Sequence, residues 1–133
     1  MTESVESRHT TAVPTPDVTS FLPLPASAMH IIVALADGEK HGYAIMRDVA
    51  LLSGGTVRMG SGTLYGSIKR MAEQGLIEEA EERPDPALDD QRRRYYRLTE
   101  LGHRVGAAEH TRLSAIVDAA TVRRLGASWG GAL

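Results

Sequence analysis

The side chains of this chain best suited to chemistry are its clustered cations. Lys69 and Arg70 stand together, Arg92, Arg93 and Arg94 form an unbroken run, and Arg97 follows closely. Grouped guanidinium and ammonium groups bind anions, above all phosphate oxygens, through charge-assisted hydrogen bonds. Groups for covalent or acid–base catalysis are sparse. The five histidines, His9, His30, His41, His103 and His110, are scattered along the chain, and no nucleophile–base–acid set is visible. His103 and His110 lie seven residues apart, whereas metal pairs on a helix use spacings of three or four, so solvated helix histidines are the simpler reading. The absence of cysteine excludes a disulfide framework, a thiolate metal site and a cysteine nucleophile, and it fits a reducing compartment. Gly54-Gly55 and Gly60 to Gly62 precede a helix as phosphate-cradling loops do, but their spacing fits neither the Walker nor the dinucleotide pattern; they read as an interhelical connection. No catalytic residue, metal ligand or cofactor is expected.

The elements that must position the cations fit in 133 residues, of which 42% are hydrophobic and 24% charged. That length supports a single core. Residues 1–23, rich in Thr, Ser, Pro and Glu, read as a disordered arm. A first helix starts near Pro25, with Met29, Ile32, Val33 and Ala36 at helical spacing and Asp37-Gly38 as its stop. A second carries Ile45, Val49 and Leu52 and ends at Gly54-Gly55. The third runs from Ser61, a candidate N-cap, through Leu64, Ile68 and Met71 to Gly75. The period then changes. Leu76-Ile77 and Tyr95-Tyr96-Leu98 read as two strands of a hairpin with a long polar tip. From Thr99 a long helix carries an apolar stripe of Leu101, Val105, Ala108, Leu113, Ile116, Val117 and Ala120, with nothing after it to cover that face. The simplest cover is a second copy of the chain, so these residues and Met29 are expected at a homodimer interface.

The expected architecture is mainly α with a small β-hairpin: a winged helix-turn-helix over 24–98, a dimerisation helix over 99–125 and a flexible tail over 126–133. In such a fold the third helix enters the DNA major groove and the wing touches the adjacent backbone. Projection of the third helix places Gly62, Thr63, Gly66, Lys69 and Arg70 opposite its buried stripe, with Tyr65 at the border. Small residues allow close approach, and Thr63, Lys69 and Arg70 can reach phosphates or base edges. On periodicity alone, a merely solvated helix fits equally well. The arginine run has its own plain reading, a strand paired with the acidic residues Glu78, Glu79, Glu81 and Glu82 across the hairpin. The net charge of −2 speaks weakly against a DNA partner, because screening over about 8 Å leaves a local basic patch effective.

The segments ASAMHIIVALADGEKHGYAIMRDV, GSGTLYGSIKRMAEQGLIEE and RRRYYRLTELGHRV resemble, in order and separation, the signature blocks of the PadR family of transcriptional regulators, over about residues 24–124. The most specific parts are His41-Gly42-Tyr43, Gly62-Thr63-Leu64-Tyr65, Gly75-Leu76-Ile77 and Tyr95 to Thr99 leading to Gly102. The resemblance implies a dimeric regulator, a repressor by expectation, that binds a pseudo-palindromic operator in double-stranded DNA. It implies DNA contacts by Ser61, Thr63, Tyr65 and Lys69 and by wing residues Arg92, Arg93 and Arg94, to which Gly66, Arg70 and Tyr43 are added. It also suggests a small hydrophobic or aromatic effector. Ser61 stands where the family has Pro, and Leu24 where a polar cap is usual. With no leader sequence and no apolar run of about 20 residues, the cytoplasm is the expected compartment. The alternative is a winged helix that binds another protein; a small, basic exposed face on the third helix favours DNA.

Overall fold

The computed structural model describes residues 17–81, 83–84 and 92–125, with the backbone alone for 83, 84, 92 and 93. Four helices, α1 (Ala26–Leu35), α2 (Gly42–Leu52), α3 (Ser61–Glu73) and α4 (Glu100–Val122), enclose a core edged by a small sheet. Strands β2 (Ile77–Glu79) and β5 (Tyr95–Leu98) form the base of the expected hairpin, with Ile77 opposite Leu98 and Glu78 opposite Arg97. Strands β3 (Arg83–Pro84) and β4 (Arg92–Arg93) continue it outward as a separate antiparallel pair. A further strand, β1 (Lys40–His41), lies along the other edge of β5. Two residues carry no periodicity, so the sequence could not announce it.

Local chemistry accounts for the boundaries. Gly54, Gly55 and Gly75 take positive φ angles of 63°, 87° and 81° where α2 and α3 stop. Thr99 caps α4, its Oγ1 accepting from the Gly102 amide at 3.0 Å. His41 caps α2 in the same way, its Nδ1 accepting from the Ala44 amide at 3.2 Å, with its ring edge-on to Tyr95. Two expected caps differ. Gly60 holds the N-cap position of α3 and Ser61 is the first helical residue, while Pro25 holds that of α1 without any side-chain cap.

Ile31, Ile45, Val49, Leu64, Leu76 and Val105 are fully buried at the centre, each contributing about 1.5–3 kcal/mol of apolar transfer. Several expectations are corrected by this packing. The core face of α1 is Ala28, Ile31, Ile32, Ala34 and Leu35, so Met29, Val33 and Ala36 lie off it. Leu52 is 51% exposed rather than buried with Ile45 and Val49. The arm expected to extend to residue 23 is folded from Asp17: a 3-10 helix over Val18–Phe21 packs against α4, and Val18, Phe21, Leu22 and Leu24 rest on the core. Four apolar side chains in seven residues outweigh the polar composition of the remainder. Glu109 of α4, which periodicity passes over, is 2% exposed. Its Oε2 accepts from the Leu24 amide at 3.2 Å and its carboxylate takes a two-pronged pair from Arg112 at 2.6 and 2.9 Å.

The long helix divides into two zones. Its first half is core: Val105 is fully buried, Leu101 packs on the core, and Gly106 lies so close to Ile32 that an added Cβ would sit 2.7 Å from Cγ2. Val105 is therefore not available to a partner, contrary to expectation, and Leu101 packs within its own chain. Beyond Glu109 the helix leaves the core, and Ile116, Val117 and Val122 are 55%, 61% and 80% exposed.

Candidate nucleic-acid interface

Amphipathicity fixes the orientation of α3. Leu64, Ser67, Ile68 and Met71 are buried, which turns Gly62, Thr63, Lys69 and Arg70 outward and leaves Gly66 half-buried between them. Gly62 has nothing within 4 Å of where a Cβ would stand, so the exposed N-terminal turn can come close to another surface. Ser61 lies on this turn and is exposed. Tyr65, 44% exposed, occupies the border as expected. Its hydroxyl rests against Gly42 of α2 so tightly that no Cβ would fit there, and its ring lies 6.5 Å from that of Tyr96. This contact fixes the crossing of α2 over α3.

Tyr65, Lys69, Arg94 and Tyr96 share a cleft of about 460 Å³ between α3 and the base of the wing, together with Glu73 and Glu79. Lys69 makes no ion pair among the described residues. Arg94 approaches Glu79 at 3.4 Å, both about half exposed, and Arg97 is held by Glu78 at 2.8 Å and Glu39 at 3.2 Å. The pairing of arginines with the acidic strand is thus realised at the hairpin base. Arg97 is the more firmly tied of the two, and the two carboxylates raise its already high pKa. Such exposed pairs add little stability. They do fix where the charges sit. The side chains of Arg92 and Arg93, and the acidic tip over 85–91, lie outside the described residues.

On the other side of Tyr65 the structure adds two cations that sequence reading missed. Arg47 lies over the Tyr43 ring, 5.6 Å from its centroid, and Tyr43 itself is 54% exposed. Arg47 and Arg58 line a shallow cleft at the turn between α2 and α3, and neither pairs with a carboxylate among the described residues. Tyr43 and Arg47 are four apart on one helix, a spacing that could have drawn attention to the pair. Arg58 had no such signal, because only the tertiary path of the turn sets it beside Arg47. Arg47 and Arg58 thus line one cleft, with the Tyr43 ring beneath Arg47, while Tyr65, Lys69 and Arg94 line another. Arg70 belongs to neither: its Nη2 donates to Ser67 Oγ at 3.2 Å, and it lines a different cleft beside the start of α1.

A helix, an edge strand, two further helices and a hairpin in this order form a winged helix, and residues 31–108 match the family model described as the transcriptional regulator PadR-like family. The chain belongs to that family. The resemblance read from the His41, Gly62 and Tyr95 blocks therefore holds. A PadR family transcription regulator from Clostridium difficile superposes with a TM-score of 0.63 at 22% identity, over 77% of this chain and all of that one. A PadR-like transcriptional regulator from Bacillus cereus gives 0.63 at 18%, over 74% and 91%. Bacillus subtilis PadR in complex with operator DNA gives 0.54 at 19%, over 63% of this chain and 47% of that protein. An uncharacterized 37.1 kDa transposon protein of Streptomyces fradiae is 42% identical over 55 residues; the match takes in 41% of this chain and 15% of that relative. At these identities the structural likenesses establish the fold of the PadR-like chain, and its contacts have to be argued from its own residues. No helix of the described residues is long and apolar enough to cross a membrane.

Proposed function

We propose that this PadR-like regulator binds double-stranded operator DNA as a homodimer, with α3 in the major groove, and that occupancy of a promoter site represses transcription. The observation that carries the reading is the outer face of α3, where Gly62, Thr63 and Lys69 are exposed, Lys69 makes no ion pair among the described residues, and Arg94 shares its cleft. A small, basic face suits a phosphate-lined groove, whereas an apolar or acidic face would favour a protein partner. The complex of Bacillus subtilis PadR with operator DNA supports it. Fluorescence anisotropy with a duplex from upstream of the coding sequence and with a scrambled duplex, across a salt series, tests it. Preference for the native duplex of about 10³ or more is expected. The Lys69→Ala variant should bind more weakly and lower the salt slope by about one. If neither duplex binds at low salt, the protein-binding alternative replaces this reading.

Support for the homodimer comes from an apolar surface that no described residue covers. Met29, Val33, Leu52 and Leu113 line one cleft, and Ile116 and Val117 continue it along α4. Ala108 and Ala120, both half-exposed, lie on the same helix. Two copies pairing here would set their α3 helices to reach successive grooves about 34 Å apart. An adjoining cleft lined by Met29, Ile32, Val33, Leu98 and Gly106 is suited to a small hydrophobic or aromatic effector that would release the DNA. In sedimentation, Val117→Glu should shift the protein from dimer to monomer with the helical content retained. A variant that stays dimeric would place the interface elsewhere.

A further inference from the structure

A separate cleft, with Arg70 in its lining, lies beside the start of α1. It occupies about 300 Å³ between the 3-10 helix, the start of α1 and the second half of α3. Its lining mixes the apolar side chains of Phe21, Leu24 and Met71 with the polar ones of Ser27, Ser67, Arg70 and Gln74. No carboxylate lines it among the described residues.

Three features make its polar groups attractive to an anion. Arg70 lines it and donates through Nη2 to Ser67, and its other guanidinium donors make no hydrogen bond among the described residues. Ser67 is 3% exposed; its oxygen accepts from Arg70, while its proton meets no acceptor among the described residues. A hydroxyl this buried normally donates as well as accepts. Finally, α1 begins at this cleft with no side-chain cap, and Ser27 and Ala28 of its first turn line the cleft. The amides of that turn point outward at the positive end of the helix dipole.

We propose that this cleft is a phosphate site, in which Arg70, the Ser67 and Ser27 hydroxyls and the first-turn amides of α1 bind the oxygens of one phosphate group. Planar guanidinium donors and a free helix N-terminus are suited to phosphate geometry. The group belongs either to the backbone of bound DNA or to a small phosphorylated molecule whose apolar portion rests on Phe21, Leu24 and Met71. Only the first source rests on the DNA-binding reading; the site itself does not.

Inorganic phosphate is the probe, titrated into the full chain at constant ionic strength with chloride as the balancing anion, and thermal unfolding is the readout. A rise of about 5 °C is expected once phosphate exceeds its dissociation constant tenfold. Arg70→Gln and Ser67→Ala should each abolish most of the rise, and Lys69→Ala should keep it. No rise in the parent protein, or an undiminished rise in Arg70→Gln, would overturn the proposal. Repeating the titration with saturating duplex assigns the source. If a DNA phosphate fills the cleft, the response disappears in the complex and Arg70→Gln lowers the salt slope of DNA binding by about one. If a free ligand fills it, the response survives in the complex and that slope is unchanged. Should the chain bind no duplex at all, the response to phosphate alone still decides the site.

Discussion

Replacing Gly102 with alanine is expected to lower the Tm by about 10 °C or more. The added Cβ would run into the carbonyl oxygen of Leu76 and stand 3.1 Å from its carbon and 3.3 Å from Leu98 Cδ2. The obstruction is backbone, which cannot rotate aside. That same carbonyl accepts from the Thr99 amide at 3.0 Å, so moving it also disturbs the start of α4. Overpacking of this kind costs about 3 kcal/mol or more when neither side can yield, which for a chain of this size is about 10 °C. The contrast is Gly62→Ala, where the site is open and the helix should gain about 0.5–1 kcal/mol. Thermal unfolding of the two variants decides it; a Gly102→Ala protein as stable as the parent would mean that α4 is not docked on the Leu76 turn.

The second large effect is expected at Glu109. Its carboxylate holds the Leu24 amide at the entry to α1 and the guanidinium of Arg112, so it ties the N-terminal segment to the long helix. Glu109→Gln leaves a buried group that cannot match both donors, and should cost about 2 kcal/mol at neutral pH. Because Arg112 lies at the surface and can return to water, the loss falls below that for a wholly buried pair. The pH dependence carries the sign. The Arg112 hydrogen bonds, opposed by burial and aided by the Leu24 amide, hold the Glu109 carboxyl below its ordinary value of 4.5. A pKa that is lower folded than unfolded means stabilisation fully present above 4.5 and lost as the pH falls through the folded value. Urea unfolding at pH 7 and in the acid range should therefore show the variant weaker at pH 7, with the gap closing as acid protonates the parent. A constant gap would show that the charge of Glu109 contributes nothing.

These two residues also mark the limit of what periodicity can tell. Gly102 was visible as part of a motif, but its reason, a carbonyl 26 positions earlier in the chain, is a matter of tertiary approach. Glu109 drew no notice, since a single carboxylate on a mostly polar helix looks solvated until Leu24 and Arg112 are seen to converge on it. The same holds for Arg47 and Arg58, which meet in one cleft, and for Arg70, which shares the outward half of α3 with Lys69 but lines a different cleft. A 100° projection gives the direction of a Cα–Cβ bond and says nothing about where six further atoms of a side chain come to rest.

The order of the four helices and the hairpin, the buried stripe of α3, the glycine stops and the start of the last helix at Thr99 were determined by the sequence alone, because each depends on residues within about one helical turn or on strand alternation. So was membership of the PadR-like family, carried by short blocks with fixed separations. Only the tertiary structure decided which half of α4 is core and which is exposed, where Arg70 and Arg94 point, that residues 17–24 belong to the folded body, and that β1 exists. Each of these rests on contacts between residues far apart in the chain, and such contacts are set by packing, which no local pattern records.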